Sequence, residues 1–243
     1  MDLGLTGRAC LVTGSTAGIG LETARQLIAE GAHVVTCGRR DAPGLGERHH
    51  VAADLSLAGE PERAVVEAAA ALGGLDVLVN NVGIARQARF EEVTDAEWRA
   101  MMSRLLDEPF YCLRAALRVM RPARRGKIIN MSSAAAFPGL ANYAAYTAAR
   151  AGVNGLTKAV GREVARDGIQ VNAIAQNYVE NPTYFPPSLT ADPQKLARMV
   201  RNIPAGRLAR SEESARLAVY LASEDADFFV GQVIPFSGGW VTG

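Results

Sequence analysis

Several residue patterns are scarce in this 243-residue chain, and each scarcity excludes a class of protein. The three cysteines and three histidines have neither the number nor the spacing of a disulfide framework or a metal site. Lys and Arg number 26 against 25 Asp and Glu, so the chain lacks the basic excess of a nucleic-acid-binding surface. No apolar run approaches the ~20 residues of a membrane span, and a strand begins too close to the N-terminus for a targeting segment. We therefore expect a soluble cytoplasmic protein with reduced thiols and no nucleic-acid or membrane partner.

Apolar runs alternate with helix-like stretches along the chain. Such runs are typical of parallel strands buried on both faces, and unbroken strand–helix alternation predicts a doubly wound fold. We therefore expect one α/β domain over residues 1–243, with a parallel sheet flanked by helices on both faces. The predicted strands are Arg8–Thr13, Ala32–Cys37, His50–Ala53, Leu75–Asn80, Gly126–Met131 and Ile169–Ile174. The predicted helices are Ile19–Glu30, Pro61–Leu72, about Thr94–Met120, and Asn142–Arg166.

Two segments interrupt this alternation. Arg39–His49 contains a proline and two glycines, and is too short and broken for a crossover helix. Asn177–Pro193 is punctuated by four prolines, and long loops after the carboxyl end of a strand commonly hold ligands. We therefore expect residues 177–210 to bind the substrate, with Tyr184 and Phe185 in the pocket wall. The alternative is a surface loop.

A glycine-rich turn lies between the first predicted strand and the first predicted helix. It reads TGSTAGIG over Thr13–Gly20. At a helix N-terminus such a turn lets backbone N–H groups approach a pyrophosphate, and the helix dipole adds attraction. A glycine triplet alone is a weak signal, but its place between strand and helix favours dinucleotide binding. The candidate cofactor-binding residues here are Gly14, Ser15, Thr16, Gly18, Ile19 and Gly20.

The ends of the next predicted strands indicate which nucleotide binds. The second strand ends in Gly38-Arg39-Arg40, where an acidic residue would hold the ribose hydroxyls of NAD. Arg39 can instead pair with a 2′-phosphate, which favours NADP over NAD; the alternative is a pair of solvated arginines. Two further segments, after the third and fourth strands, lie at the sheet edge where an adenine and a ribose would bind. They contribute Asp54, Leu55, Asn81 and Gly83 to the predicted cofactor site.

A serine, a tyrosine and an arginine form a candidate catalytic group. Ser133 follows the predicted strand Gly126–Met131, Tyr146 lies on the next helix, and Arg150 is one helical turn beyond Tyr146. A phenol with a pKa near 10 is a poor acid–base group at pH 7, and a nearby guanidinium favours the phenolate. The serine hydroxyl can hold a substrate oxygen. The alternative is an ordinary surface contact between Tyr146 and Arg150, which the nucleotide-type first half disfavours.

These motifs resemble the short-chain dehydrogenase/reductase superfamily over essentially the whole chain. The resemblance rests on TGSTAGIG, the Asp54-Leu55 step, NNVG, the Ser133–Tyr146 spacing and GQVIPFSGGW near the C-terminus. It implies a Rossmann-type domain, usually a homotetramer, that transfers hydride between NAD(P) and a small carbonyl or alcohol substrate. It also implies that Tyr146 is the general acid–base and that Ser133 polarises the carbonyl.

The chain departs from the family pattern at two catalytic positions. The family motif is Tyr-x-x-x-Lys, and here Arg150 stands in place of the lysine. The family also carries a catalytic asparagine in the helix before the strand that ends at the serine. The matching position here is Leu105, or Leu106 if the alignment is shifted by one residue. Neither leucine can hold a water molecule, and arginine is a very poor proton shuttle. We therefore do not expect the proton relay that is usual in this family.

The same three residues match the Ser–Tyr–Arg triad of the halohydrin dehalogenases, which share the fold but bind no nucleotide. Their tyrosinate deprotonates a vicinal halohydrin, and the alkoxide closes an epoxide while the halide leaves. From about Leu105 onward the chain resembles them in EPF, YTAARAG, NYV, NPTYFP and GRL. This resemblance implies that the segment Asn177-Tyr178-Val179 helps to line a substrate or halide pocket.

The first half resembles the dehydrogenases instead. Dehalogenases place a bulky aromatic residue where this chain has Gly18, and they have lost the NNVG pattern. Three hypotheses remain open: an NAD(P)-dependent oxidoreductase using Ser133, Tyr146 and Arg150, a cofactor-free dehalogenase or epoxide-opening enzyme, and a non-catalytic NAD(P)-binding protein. The survival of several independent nucleotide features favours the first.

Overall fold

The computed structural model of the protein describes residues 2–46, 49–181 and 184–242, and its centre is a parallel β-sheet. The strands within these residues are β1 (Ala9–Thr13), β2 (His33–Gly38), β3 (His50–Ala52), β4 (Val77–Asn80), β5 (Gly126–Ser133), β6 (Ile169–Gln176) and β7 (Val233–Phe236). They lie in the order β3-β2-β1-β4-β5-β6-β7, each parallel to its neighbours. Because the strand order reverses between β1 and β4, a crevice for ligands opens at the carboxyl ends of these strands.

Helices cover both faces of the sheet. They are α1 (Gly18–Ala29), α2 (Glu60–Leu72), α3 (Asp95–Met102), α4 (Glu108–Ala123), α5 (Ala144–Val164), α6 (Pro187–Thr190), α7 (Pro193–Val200) and α8 (Ser211–Ala222). Helices α1 and α8 pack together on one face, and α2, α4 and α5 cover the other. The arrangement confirms the Rossmann-type doubly wound fold that the sequence predicts.

The strands are apolar on both sides because a helical layer covers each face. Leu11 in β1 stands in register with Val35 and Leu78 and packs towards α2 and α4. The next residue, Val12, belongs to the core cluster on the α1 and α8 side. Burying one such side chain contributes roughly 1.5–3 kcal/mol. The sheet is therefore a firm base for the turns at its carboxyl edge.

The helical stretch predicted at Thr94–Met120 is interrupted. Thr94 caps α3, accepting a hydrogen bond from Glu97 N at 3.3 Å. The chain then forms a π-helical turn at Ser103–Asp107 before α4 begins. Pro109 in the first turn of α4 has no N–H for the carbonyl four residues earlier, and its ring would clash with that carbonyl in a regular α-helix. The wider turn accommodates the proline.

Two elements near the C-terminus were not predicted from the sequence. Helix α8 packs against α1, and β7 pairs with β6, where Ile174 stands in register with Ile234. Pro235 interrupts the apolar pattern of β7, and a proline is tolerated because this strand lies at the sheet edge. As expected, residues 39–46 form turns rather than a helix. In the described part of the chain, none of the helices has the length and apolar character needed to cross a bilayer.

Candidate active site

The turn between β1 and α1 is shaped by glycines that a side chain would disrupt. Gly14 and Gly18 have left-handed φ angles of +59° and +55°. A Cβ on Gly20 would lie 2.4 Å from both Gly14 O and Asn81 Nδ2, so only glycine fits there. Asn81 Nδ2 also donates to Gly14 O at 3.1 Å, which ties this turn to the one after β4. The turn is therefore rigid and bare at the carboxyl edge of the sheet.

The N-terminus of α1 is suited to an anion. Its N-cap residue, Ala17, makes no side-chain capping hydrogen bond, and the first turn contains no acidic residue. Helix N–H groups without a side-chain acceptor, at the positive end of the helix dipole, attract a pyrophosphate. Ile19 packs into the core and fixes the start of the helix beneath the turn. This end of the crevice therefore fits the dinucleotide predicted from the sequence.

Ser15 and Thr16 fasten the same turn to β2. Ser15 Oγ accepts from Cys37 N at 2.9 Å, and Ser15 N donates to Cys37 O at 3.3 Å. A Cβ on Gly38 would lie 2.8 Å from Thr16 Cγ2, so these two backbones approach closely. Its N–H and hydroxyl are bonded to β2, so Ser15 shapes the turn, and its role as a nucleotide ligand stays a prediction.

Arg39 and Asp54 lie near each other at the far end of the crevice. Hydrogen bonds from Ser56 Oγ at 2.7 Å and Ser56 N at 3.1 Å lower the pKa of the Asp54 carboxyl, and the charge of Arg39 lowers it further. Arg39 is exposed and can reach a phosphate. Leu55 is buried in the core beneath α2, so only its backbone can contact a nucleotide. Binding of an adenosine by Arg39 and Asp54 stays a prediction, and Leu55 is a packing residue.

The predicted cofactor residues after β4 join the two halves of the crevice. Asn81 N donates to Thr13 Oγ1 at 3.0 Å, which holds the turn against β1. A Cβ on Gly83 would lie 2.8 Å from Arg150 Nη2. Glycine at this position therefore lets the guanidinium of α5 reach the turn.

Ser133 and Tyr146 belong to adjacent elements at the carboxyl edge of the sheet. Ser133 ends β5, and Tyr146 lies in the first turn of α5. Ser133 Oγ accepts from Ala135 N at 3.1 Å, which orients the hydroxyl so that its hydrogen can point to a substrate oxygen. The adjacent Ser132 is used differently, because it donates to Asn154 Oδ1 at 2.6 Å. Of the two serines, Ser133 is the one available to a substrate.

Arg150 is buried beside Tyr146, as the one-turn spacing predicts. Its Cζ lies 5.7 Å from the centroid of the Tyr146 ring, and the residue is only 7% exposed. Nη1 donates to Met131 O at 2.9 Å and Nη2 to Val82 O at 3.3 Å. Among the described residues, the buried Nε has no hydrogen-bond partner. The guanidinium is thus a fixed, buried charge whose Nε N–H is unpaired among the described residues.

Leu105 and Leu106 are the two positions at which the resemblance predicts the family's catalytic asparagine. Leu105 lies in the π-helical turn and is 0% exposed, packed in a cluster with Ala149 and Tyr146. Its neighbour Leu106 packs against Gly152, where a Cβ would lie 2.9 Å from the leucine methyl carbons. Aliphatic packing therefore replaces a polar relay at these positions.

The loop after β6 reaches back towards the candidate catalytic residues. Burial raises the pKa of the Tyr184 phenol and the nearby Tyr146 raises it further, while Arg150 and a hydrogen bond with the Ala85 backbone lower it. Tyr184 is therefore within electrostatic range of the Tyr146–Arg150 pair, and it is 38% exposed. Asn181 anchors the loop, since its Oδ1 accepts from Tyr184 N at 2.8 Å. Residues 182–183 of the predicted substrate loop lie outside the described residues.

The rest of the predicted substrate segment divides between pocket and core. The rings of Tyr178 and Phe185 contact each other with centroids 6.0 Å apart, close to the loop that carries Tyr184. Val179 is 4% exposed and packs into the core, and its backbone pairs with Ala209; its place in a substrate pocket stays a prediction. Asn177 faces a small cavity of about 140 Å³ near the end of β7.

Sequence reasoning missed a buried carboxyl group near the catalytic residues. Glu108, at the start of α4, is 1% exposed and hydrogen-bonds to Thr13 and Cys112. Burial raises the pKa of the Glu108 carboxyl to about 8, against the lowering influences of Thr13 and Arg150. The only available signal was a glutamate at the helix start beside apolar residues, a pattern that also fits an exposed helix N-terminus.

Comparisons with known proteins agree with this geometry. A family model described as enoyl-(acyl carrier protein) reductase matches residues 14–241. The cis-4-hydroxycyclohexanecarboxylate dehydrogenase of Sinomonas cyclohexanicum is 40% identical over 247 residues, covering 96% of each chain. A protein from Beutenbergia cavernae, assigned as an NAD(P)-dependent gluconate 5-dehydrogenase and solved with NADP at low occupancy, is 37% identical with a TM-score of 0.90, over 99% of each chain.

A third relative reflects the resemblance of the second half to dehalogenases. A solved protein named as a dehalogenation enzyme is 35% identical with a TM-score of 0.88, covering 98% of this chain and 99% of its own. Family model, relatives and fold nevertheless agree on one superfamily, whose dehydrogenase members match this chain from end to end. The chain belongs to the short-chain dehydrogenase/reductase superfamily.

Proposed function

We propose that this protein is an NADP(H)-dependent oxidoreductase that interconverts a small alcohol and the corresponding carbonyl compound. The observation that carries the proposal is the uncapped N-terminus of α1 behind a turn in which Gly20 tolerates no Cβ. A protein without a nucleotide needs neither feature. The relatives named as dehydrogenases support the same reaction class.

The nucleotide would extend along the carboxyl edge of the sheet. Gly14, Gly18 and the first N–H groups of α1 would hold the pyrophosphate, and Arg39 would pair with the 2′-phosphate. Asn81 and Gly83 would border the nicotinamide ribose, where Arg150 Nη2 lies against the Gly83 backbone and donates to Val82 O. When bound, the nicotinamide gives a hydride to the substrate carbon or takes one from it.

Tyr146 carries the proton and Ser133 holds the reacting oxygen. In reduction, the Tyr146 hydroxyl gives its proton to the carbonyl oxygen as the hydride arrives at the carbon. In oxidation, the tyrosinate takes the proton from the alcohol. Ser133 donates a hydrogen bond to the same oxygen, and its own oxygen is fixed by Ala135 N at 3.1 Å. A positioned acid–base group of this kind contributes about 10²–10⁴-fold in rate.

Arg150 supports Tyr146 electrostatically and does not carry the proton. Two of its nitrogens are bonded to the carbonyls of Met131 and Val82, and a guanidinium does not lose its proton in proteins. Its fixed positive charge lies beside the phenol ring, with Cζ 5.7 Å from the ring centroid. With Leu105 in place of an asparagine, the proton on Tyr146 is exchanged by another route than the one usual in the family.

The substrate we propose is small and largely apolar, with one hydroxyl or carbonyl. Tyr184 and Phe185, on the loop after β6, provide aromatic walls near Tyr146. The test is a panel of small secondary alcohols with NADP⁺, followed by the absorbance of the reduced nicotinamide. We expect turnover by the wild type and a loss of at least about 100-fold in Tyr146→Phe. Equal activity of the two proteins would overturn the assignment.

A second candidate is a cofactor-free halohydrin dehalogenase, favoured by the buried Arg150 beside Tyr146. The dehalogenation enzyme of the same fold supports it, as does the Ser–Tyr–Arg set itself. Halide release from a 1,3-dihalo-2-propanol without nucleotide would establish this function. Its absence, together with NADP⁺ reduction, would exclude it.

We further propose that the protein acts as a cytoplasmic homotetramer, the assembly expected from the family resemblance. Light scattering on a size-exclusion column measures the mass directly, and a tetramer has four times the 25.8 kDa of one chain. A monomer at working concentration would contradict this proposal and leave the assigned chemistry untouched.

A further inference from the structure

A layer of buried polar side chains lies between the sheet and helices α4 and α5. Its members share the face of the sheet that these helices cover, and each is at most 8% exposed. Asn80 Nδ2 donates to Asn130 Oδ1 at 2.9 Å, and Asn130 Nδ2 donates to Thr157 Oγ1 at 3.0 Å. We call this set the polar layer; it consists of Thr13, Asn80, Glu108, Asn130, Arg150 and Thr157.

The polar layer contains two ionisable groups, Glu108 and Arg150. Glu108 is 1% exposed and Arg150 is 7% exposed, so water screens neither charge well. Over residues 2–46, 49–181 and 184–242, neither group forms an ion pair within 4.0 Å. They still influence each other, because the charge of Arg150 lowers the pKa of Glu108. A buried guanidinium without a paired carboxylate is costly, and a nearby ionised carboxyl would offset its charge.

Glu108 also contacts the turn that would hold the nucleotide. It hydrogen-bonds to Thr13, whose Oγ1 accepts from Asn81 N at 3.0 Å. Asn81 in turn donates to Gly14 O at 3.1 Å. The carboxyl therefore connects to the glycine turn on one side and to the catalytic arginine on the other.

The other titratable groups facing Glu108 stay in one state near neutral pH. Burial raises the pKa of Cys37 to about 12 and that of Cys112 well above its ordinary value, so both thiols remain protonated. Arg150 cannot lose its proton. Glu108 is thus the group in this cluster that can change charge between pH 7 and 9.

We propose that Glu108 is a proton-binding positioning residue that sets the net charge around Arg150 and connects it to the nucleotide turn. With Glu108 protonated, the pair carries one net positive charge; with Glu108 ionised, the pair is neutral. Tyr146 lies 5.7 Å from Arg150 Cζ and experiences the difference. The same event alters the hydrogen bond to Thr13, so it reaches the turn at Asn81 as well.

Part of this inference rests on the proposed function, namely the effect on catalysis. The proton-binding part does not, and infrared pH-difference spectroscopy of the purified protein measures it without substrate or cofactor. We expect the carbonyl stretch of a protonated carboxylic acid to disappear as the pH rises through about 8. We expect this band to be missing in Glu108→Gln and unchanged in the matched control Glu62→Gln on the exposed side of α2.

Arg150→Gln tests the coupling and serves as the second assignment if Glu108→Gln does not fold. Without the guanidinium, the midpoint of the band should move up by about one pH unit. In the kinetics, kcat/KM of the wild type should show a transition near pH 8 that Glu108→Gln lacks. A band that survives in Glu108→Gln, or a midpoint unmoved in Arg150→Gln, overturns the proposal. Failure of NADPH to bind overturns only the proposed function, since the infrared titration is independent of it.

Discussion

The front of the molecule, from β1 to β4, and its back, from β5 onward, place different demands on the sequence. The candidate site of the front is formed by backbone groups, because Gly14, Gly18 and Gly20 leave the N–H groups of α1 open to a phosphate. The back works through side chains, namely Ser133, Tyr146 and a buried Arg150. A backbone site depends on where side chains are absent, whereas a side-chain site changes its chemistry with a single substitution.

This difference explains how a dehydrogenase front can accompany a back that resembles dehalogenases. Arg150 bonds to the Met131 carbonyl and Leu105 packs with Ala149, so both departures from the family pattern lie outside the glycine turn Thr13–Gly20. The two regions meet at Gly83, which admits the guanidinium, and at Glu108, which contacts Thr13 and lies near Arg150. These two residues therefore connect the nucleotide crevice to the side-chain site of the back.

Removing the acid–base group of the back gives the largest expected effect. Tyr146→Phe should lower kcat by about 10²–10⁴-fold, because the reacting oxygen loses its proton donor. NADPH affinity, measured by calorimetry, should stay within a factor of about three of the wild-type value. The phenol hydroxyl lies outside the glycine turn that would hold the pyrophosphate. A parallel loss of affinity would show that the two regions are not separable.

The second-largest expected effect comes from blocking the nucleotide crevice in the front of the molecule. Gly18→Phe should weaken NADPH binding by about 100-fold or more, because the ring would enter the nicotinamide space and a Cβ there lies 3.3 Å from Asn181 Cβ. Gly18 also has a φ of +55°, so the variant carries backbone strain. Gly7→Phe, with a φ of +74° and nothing within 4 Å of its Cβ, is the matched control and should bind normally. Unchanged affinity in Gly18→Phe would place the nucleotide elsewhere.

A smaller effect is expected on the preference for NADPH over NADH, which we assign to Arg39 at the edge of the front. Arg39→Glu should shift the ratio of NADPH to NADH affinity by about tenfold or more towards NADH, since it removes the partner of the 2′-phosphate. Arg162→Glu, on the exposed side of α5, makes the same charge change and should leave the ratio alone. A shift in both variants would indicate only a long-range effect of net charge.

The last prediction concerns Glu108, the residue between the two regions, and it is measured through stability rather than through activity or affinity. The folded state raises the pKa of Glu108 from 4.5 to about 8, so the folded protein loses stability relative to the unfolded chain as the pH rises between these values. The loss is at most about 1.4 kcal/mol per pH unit in this range. Glu108→Gln removes it, so its Tm advantage over the wild type should grow from pH 5 to pH 8. A constant difference across this range would contradict the assignment.

Much of the fold was predictable because strands buried on both faces read as continuous apolar runs. Strand β1 and helices α1, α2 and α5 lie within a few residues of their predicted bounds. The short β7 was missed because Pro235 breaks its apolar pattern, which only an edge strand permits. The π-helical turn at Ser103–Asp107 was missed because periodicity does not register one extra residue in a turn.

The site was predictable where local spacing determines it. Tyr146 and Arg150 pair because residues one helical turn apart share a face. The burial of Ser15 against Cys37 and of Val179 against the core depends on contacts between distant segments, which no local pattern reveals. The same is true of Glu108, whose environment is assembled from β1, α4 and α5.

The most direct test of the account is a titration of the wild-type protein with NADPH, monitored by protein fluorescence. The account predicts saturable binding with a Kd of tens of micromolar or tighter, within the ~1 μM–1 mM range typical of enzyme substrates. It also predicts that NADPH raises the Tm in proportion to ln(1 + [NADPH]/Kd). No binding of NADPH or NADH at millimolar concentration, together with halide release from a halohydrin, would contradict it.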